Sequence, residues 1–371
     1  MYNTWRKLCN TSDLQLLATL DGGQSFRWKY TMDNNEWTGV FAQTVWKLRE
    51  NNDKIEYKVM GSLAIPDNDF KKQTNKKLKA KNETPSSEEQ YFESKLRKYF
   101  RLDINVNEMY NEWAKKDELF KEASKKFRAL RLLKQEPEET VFGFICSQNT
   151  IVARIEMMMD RLSSNYGDKI CTCDDQTYYA FPDVNKLTDD TVQDNLRQLG
   201  FGYRAKYINV SAKQIVEWGY KEWFDRLEKM NYMDARTELM KLTGVGPKIA
   251  DCICLMALNH LEAVPVDTHV YQIAAKNYLP ALKEKKNVTP QSYLEIGRHF
   301  QKVFGPMAGW AQTVLFCGDF KKYDNENDRN KRDIKSKKVV KHKEEKVKEE
   351  LKAEKEEKAT PVLRKRQKNK R

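Results

Sequence analysis

The sequence predicts an α+β protein in which a small antiparallel sheet near the N-terminus precedes an all-helical body. Two changes of periodicity carry this reading. Residues 24–60 contain SFRWKY, EWTGVFAQTVWKLRE and KIEYKVM, which are rich in aromatic and β-branched residues in partial alternation and are separated by the turn-like MDNN and NND. From about Phe92 to Phe320 apolar residues instead recur three and four apart, as in FESKLRKYFRL, ELFKEASKKFRALRLL and TVFGFICSQNTIVARIEMMMDRLSSNYG. Strands followed by helices make the α+β pattern.

The elements follow in order. Residues 1–98 are expected to hold the sheet, with the polar stretch 66–90, PDNDFKKQTNKKLKAKNETPSSEEQ, as a mobile insertion. Residues 99–323 form the helical body. Residues 324–371 are expected to be a disordered tail, nearly pure Lys and Glu in KHKEEKVKEELKAEKEEKA and closing on RKRQKNKR. A chain of 371 residues is long for one ordinary domain, and two with a tail fit it.

The net charge of +13 is unevenly distributed. From Lys331 to Arg371 there are 18 Lys or Arg against 8 Asp or Glu, a balance of +10, and the preceding residues carry 49 against 46. The tail suits nucleic acid and nuclear import, whereas the globular part must be argued from local motifs. No apolar run approaches the ~18 residues of a membrane span, so no membrane partner is expected. The N-terminus lacks the apolar core of a secretion signal. The seven cysteines are odd in number and include two C-x-C pairs rather than C-x-x-C, and there are four histidines. Neither a disulfide framework nor a zinc site is expected.

Residues 234–273 are the most informative. ARTELMKL reads as a helix, T-G-V-G breaks it, Pro247 stands where a first-turn proline belongs, and KIADCICLMAL resumes helical spacing. Two helices joined by Gly244-Val245-Gly246 would present backbone N–H groups at a positive helix end, an arrangement that holds phosphate without reading bases. On its own the turn could equally be a packing corner. Lys248 falls in the first helical turn, where the helix dipole disfavours a cation, so its position invites a reason. Asp267, in VPVDTHV, reads as the N-cap of a further helix. An amine and a carboxylate, each at a helix start, could meet in one cleft. They could also be a surface lysine and a simple cap.

LTGVGPKIADC followed by VPVD resembles the helix-hairpin-helix, Gly/Pro-Asp superfamily of DNA base-excision glycosylases. DGGQSFRWK, FICSQNTIVARI, LGFGYRAKY, ADCICLMAL, VPVDTHV and GPMAGWAQTVLF, spread in order over residues 21–316, narrow the resemblance to the eukaryotic 8-oxoguanine DNA glycosylase and abasic-site lyase family. That resemblance implies a TATA-binding-protein-like sheet and an active site in the helical body. It also implies a bifunctional enzyme without organic cofactor, acting as a monomer on double-stranded DNA that contains 8-oxoguanine, preferably opposite cytosine. The expected compartment is the nucleus, with mitochondria left open. Related branches carry a four-cysteine iron–sulfur loop after the catalytic region, but only Cys317 lies beyond Asp267 here. Alkylation-type members usually lack the hairpin lysine, so Lys248 argues for strand cutting.

The resemblance also implies roles. Lys248 is the nucleophile, attacking C1′ of an extruded nucleotide and forming a Schiff base that permits β-elimination. Asp267 steadies the positive sugar and orients the amine. Phe316 and Cys252 sandwich the purine, Gln312 reads its Watson–Crick edge, and the carbonyl of Gly23 accepts the N7–H that the oxidised base has and guanine lacks. His269 touches a phosphate of the flipped nucleotide. Gly244 and Gly246 hold the backbone. Asn149, Arg154 and Arg204 contact the orphaned cytosine, and Tyr203 wedges the duplex. The family usually has three consecutive asparagines where this chain has Asn149, Thr150 and Ile151. Hairpin carbonyls, those of Met240, Leu242 and Val245, could also ring a cation. The rivals are a glycosylase for another damaged base and a noncatalytic helix-hairpin-helix DNA-binding protein.

Overall fold

In the computed structural model, residues 4–64, 87–284 and 288–319 are described; most of the stretch 66–90 and all of the tail 324–371 lie outside them. Strand β1 (Arg6–Asn10) and a short helix α1 (Leu16–Leu20) precede the four-strand meander β2 (Trp28–Thr31), β3 (Glu36–Phe41), β4 (Thr44–Asn51) and β5 (Lys54–Ser62). All pairings are antiparallel, in the order β1-β5-β4-β3-β2. The run EWTGVFAQTVWKLRE is two strands rather than one, because Ala42 and Gln43 adopt φ of 48° and 54° and form a tight hairpin turn.

One face of the sheet is covered by helix α2 (Ser87–Tyr99), which starts inside the stretch read from sequence as an insertion. Phe92, Leu96 and Tyr99, four and three residues apart, pack against Trp28, Trp46, Leu48, Ile55 and Tyr57. Gly39 pairs with Trp28 in register, and a Cβ there would lie 2.3 Å from the Trp28 ring, so the indole lies over bare backbone. Its Nε1–H donates to the Tyr99 hydroxyl at 2.9 Å, satisfying a buried donor.

The helical body follows. It comprises α3 (Val106–Lys116), α4 (Glu118–Lys126), α5 (Pro137–Cys146) and α6 (Val152–Tyr166), then the hairpin β6 (Lys169–Cys173) and β7 (Gln176–Tyr179). Next come α7 (Val192–Gln198), α8 (Arg204–Glu217), α9 (Lys221–Lys229), α10 (Tyr232–Leu239), α11 (Pro247–Met256), α12 (Thr268–Asn277), α13 (Pro290–Phe304) and α14 (Ala308–Asp319). Sheet and helices together form one compact unit ending at Asp319. Helices α5, α11 and α14 are mostly apolar and mostly buried, as central helices are. Among the described residues no helix is long and apolar enough to cross a membrane.

Candidate active site

The hairpin joins α10 to α11. Asn231 caps α10 by accepting from the Asp234 N–H at 3.0 Å, and Pro247 opens α11 in the position where its missing N–H costs nothing. The loop between them is fastened from outside. Ser211 Oγ donates to the Thr243 carbonyl at 2.8 Å, Gln214 Oε1 accepts from the Thr243 N–H at 2.9 Å, and Gln148 Nε2 donates to the Gly244 carbonyl at 3.0 Å. Gly244 has φ 87°, and a Cβ on it would lie 2.5 Å from the Tyr207 ring. Gly246, with φ −96°, faces open space. Of the three carbonyls offered from sequence for a cation, that of Leu242 accepts the Val245 N–H at 3.1 Å.

Lys248 is half-buried in the first turn of α11. Its ammonium lies 5.0 Å from the centroid of the Phe144 ring, where the π-face attracts it, and it hydrogen-bonds the Cys252 thiol one turn along. These contacts give the disfavoured first-turn cation its compensation. Burial pushes the Cys252 thiol up to about 11, with the Lys248 charge pulling the other way. Cys252 therefore stays a soft neutral sulfur. Asp267 lies within electrostatic reach of the same thiol and spends one oxygen on the Val270 N–H at 2.9 Å, capping α12. Lys248 touches the Cys252 thiol, and the charge of Asp267 is felt there.

The loop carrying Gly23 reaches this place through aromatic contacts. Phe26 meets Phe144 edge-on at 5.7 Å, and Phe144 lies beneath Lys248. Gly23 has φ 77°. Its neighbour Gln24, 1% exposed, donates to the Arg131 carbonyl at 2.9 Å, accepts from the Leu133 N–H at 2.9 Å and offers its own carbonyl to Gln135 at 2.7 Å. A Cβ on Gly22 would lie 3.4 Å from the Cys317 sulfur, so the loop also abuts the turn of α14 that carries Phe316. Phe316 is half-buried, 6.1 Å edge-on from the exposed His269, while Gln312, one turn earlier, is buried. Two of the expected base-pocket residues, Cys252 and Gln312, are therefore covered in the free protein.

The residues assigned to the opposite strand form a second cluster. Asn149 is exposed with φ 44°, a left-handed conformation that asparagine tolerates. Tyr203 is 49% exposed and stands edge-on to Tyr207 at 5.5 Å. Arg154 is exposed, 3.4 Å from the Gly200 carbonyl. Arg204 is instead buried: its guanidinium stacks 4.6 Å from the Tyr203 ring and donates to the Gln148 carbonyl. Gln148 was not singled out from sequence, yet it links three parts of the site. Its side chain holds the hairpin at Gly244 and its carbonyl holds Arg204 and, at 3.4 Å, the Tyr203 hydroxyl. The only available signal was an amide beside Asn149 in FICSQNTIVARI.

Ile151 occupies the N-cap position of α6, where it offers no side-chain acceptor, and is half exposed. Ile151→Asn should supply the missing cap and raise the free energy of unfolding by about 1 kcal/mol. Chemical denaturation reads this directly, and a variant no more stable than the parent would show that solvent already satisfies the helix start.

A cavity of about 660 Å³ lies elsewhere, lined by Arg97, Asp103 and Arg131 and by none of the site residues expected from the sequence. Convergence of chemistry, and not volume, therefore marks the site. Among the described residues no group of three or more His, Cys, Asp or Glu could hold a metal ion.

Residues 7–141 match the family described as 8-oxoguanine DNA glycosylase, N-terminal domain, and residues 142–299 match the HhH-GPD superfamily of base excision DNA repair proteins. The chain is 34% identical over 347 residues to an N-glycosylase/DNA lyase of Saccharomyces cerevisiae, covering 85% of this chain and 86% of that protein. It is 35% identical over 317 residues to the N-glycosylase/DNA lyase OGG1 of Arabidopsis thaliana, covering 84% and 79%. Its fold is similar to that of the Clostridium acetobutylicum 8-oxoguanine glycosylase/lyase, solved with double-stranded DNA containing cytosine opposite 8-oxoG. The TM-score is 0.66 at 24% identity, over 85% of this chain and 97% of that one. By these matches the chain belongs to the 8-oxoguanine DNA glycosylase family of base-excision repair proteins and is a bifunctional DNA N-glycosylase and DNA lyase.

Proposed function

We propose that this enzyme excises 8-oxoguanine from duplex DNA, preferably opposite cytosine, with Lys248 as nucleophile and Asp267 as its charged partner. The observation that supports the reading is that Lys248 and Asp267, each at the start of its own helix, both lie within electrostatic reach of the Cys252 thiol, with Lys248 hydrogen-bonded to it. The hairpin backbone at Gly244 and Gly246 holds a phosphate, and the target nucleotide is rotated out of the stack. The neutral Lys248 amine forms a bond to C1′ as the bond from C1′ to the base breaks, the electron pair leaving with the base. Asp267 stabilises the positive sugar that develops. The ring then opens to a Schiff base, a proton is lost from C2′, and the 3′ phosphate departs by β-elimination.

Recognition rests on few atoms. The Gly23 carbonyl accepts the N7–H of the oxidised base. Guanine has a lone pair there, and two facing acceptors cost about 1–3 kcal/mol. Phe316 and Cys252 lie on the two faces of the purine and Gln312 meets its edge. Cys252 and Gln312 are buried in the free protein, so the pocket must open to admit the base. Asn149, Arg154 and Arg204 hold the cytosine, with Arg204 turning from the Gln148 carbonyl towards it, and Tyr203 enters the stack. The closing RKRQKNKR supports import into the nucleus.

The test is borohydride trapping and base release on duplexes that differ only in the lesion. Adduct should form with 8-oxoguanine opposite cytosine at least tenfold faster than with alkylated purines or with adenine opposite. Equal rates across the panel would overturn the substrate assignment, and no adduct on any duplex would overturn the lysine chemistry.

A further inference from the structure

Three residues after Lys248 on α11, Asp251 centres a polar cluster that none of the chemistry above uses. Asp251 is fully buried. Its carboxylate accepts from the Tyr232 hydroxyl at 2.8 Å, from the Arg236 Nε–H at 2.9 Å and from the Tyr293 hydroxyl. The donors come from α10 and α13, so a single carboxylate joins three helices. A buried ion pair is a weak source of stability, since apolar residues of the same shape often do as well or better. What it supplies is direction: two oxygens in a plane with three donors leave little freedom to the helix that carries them.

The Tyr293 hydroxyl has a second role. While donating to Asp251 it accepts the Val266 N–H at 3.2 Å. Val266 immediately precedes Asp267, the cap of α12. One oxygen atom therefore links α11, three residues after Lys248, to the backbone beside Asp267. Val264 and Val266 are buried, so this segment has no water to replace that acceptor.

We propose that Tyr293 is a positioning residue for the reaction, bridging Asp251 to the Val266 amide and so setting the separation of the Lys248 amine from the Asp267 carboxylate. The proposal rests on the roles given to Lys248 and Asp267 above. It requires that loss of the hydroxyl slow the chemical step, which depends on that separation, without loosening the grip on lesion DNA, which depends on the hairpin and on the pocket.

Tyr293→Phe in the full-length chain removes the bridge and keeps the ring. Tyr271→Phe is its control: Tyr271 stands on α12 itself and its hydroxyl donates to the Leu282 carbonyl at 3.0 Å, a buried hydrogen bond of the same kind to the turn that follows α12. Single-turnover base release and borohydride trapping are measured on an 8-oxoguanine:cytosine duplex. Affinity for that duplex is compared between Lys248→Gln and Lys248→Gln/Tyr293→Phe, so that no reaction intervenes. Tyr293→Phe should slow base release and trapping together by roughly 10–100-fold, since small misplacements of reacting groups have effects of that size. Affinity should change less than about threefold, and Tyr271→Phe should stay within about twofold of the parent rate while losing comparable thermal stability. Parent rates in Tyr293→Phe beside an inactive Lys248→Gln would overturn the bridge alone. Equal slowing in Tyr271→Phe would reduce it to ordinary packing. Adduct formation by Lys248→Gln would overturn the nucleophile, and the bridge with it.

Discussion

Lys248→Gln should abolish both base release and the borohydride-trapped adduct on an 8-oxoguanine:cytosine duplex, a loss of roughly 10⁴-fold or more, as removal of a nucleophile typically gives. Lesion-duplex affinity should stay within about threefold. The separation of the two effects follows from the structure. The amine stands over the Phe144 ring and against Cys252, whereas the groups proposed to hold phosphate are backbone N–H groups of the hairpin, which glutamine does not alter. Glutamine keeps the inner half of the stem and loses an attraction to the ring worth about 0.5–1 kcal/mol, so the variant stays folded. Trapping of the variant at the parent rate would remove Lys248 from its role. Lost affinity with lost chemistry would mean that the side chain, too, holds DNA.

The hairpin and its lysine were legible in the sequence because their signals are local. Thr-Gly-Val-Gly-Pro stops one helix and starts the next within five residues, and no distant partner is needed to read it. The strand character of β2 to β5 was legible for the same reason, although the turn at Ala42 and Gln43 that splits β3 from β4 was not. Strand β1, RKLCN, was not: it is five residues long, and its place at the sheet edge is set by pairing with β5 some 45 residues on. The hairpin β6–β7 also went unread, because KICTCDDQTYY lies between helices and turns through Asp174 and Asp175, both left-handed without glycine. Likewise Asp251 in IADC reads as one polar position of an amphipathic helix, and only Tyr232, Arg236 and Tyr293 brought to it by three-dimensional packing make it an anchor. Burial of Arg204 depends in the same way on the carbonyl of Gln148, 56 residues away. Chemistry that needs one motif could be read in advance; chemistry held by long-range hydrogen bonds could not.

The two hairpin glycines look alike in sequence and should behave oppositely. Gly244→Ala should cost about 2–5 kcal/mol of stability. Its φ of 87° adds about 1–2 kcal/mol of left-handed strain for an L-residue, and the new methyl would sit 2.5–2.9 Å from the Tyr207 side chain, an overpacking worth about 1–3 kcal/mol. Tyr207 cannot simply retreat, because it is also packed edge-on against Tyr203. Gly246→Ala meets neither obstacle: its φ of −96° is open to any residue and nothing lies within 4 Å. Its stability should change by less than about 0.5 kcal/mol, the usual range for a surface position. The methyl would instead stand where a phosphate approaches the N-terminus of α11. Weakening one charge-assisted contact there should lower DNA affinity about tenfold, for damaged and undamaged duplexes alike, since a backbone contact reads no base. Denaturation midpoints and binding isotherms on both variants separate the two roles. A stable Gly244→Ala would show that the Tyr207 contact gives way easily, and a Gly246→Ala with unchanged affinity would place the phosphate elsewhere on the hairpin.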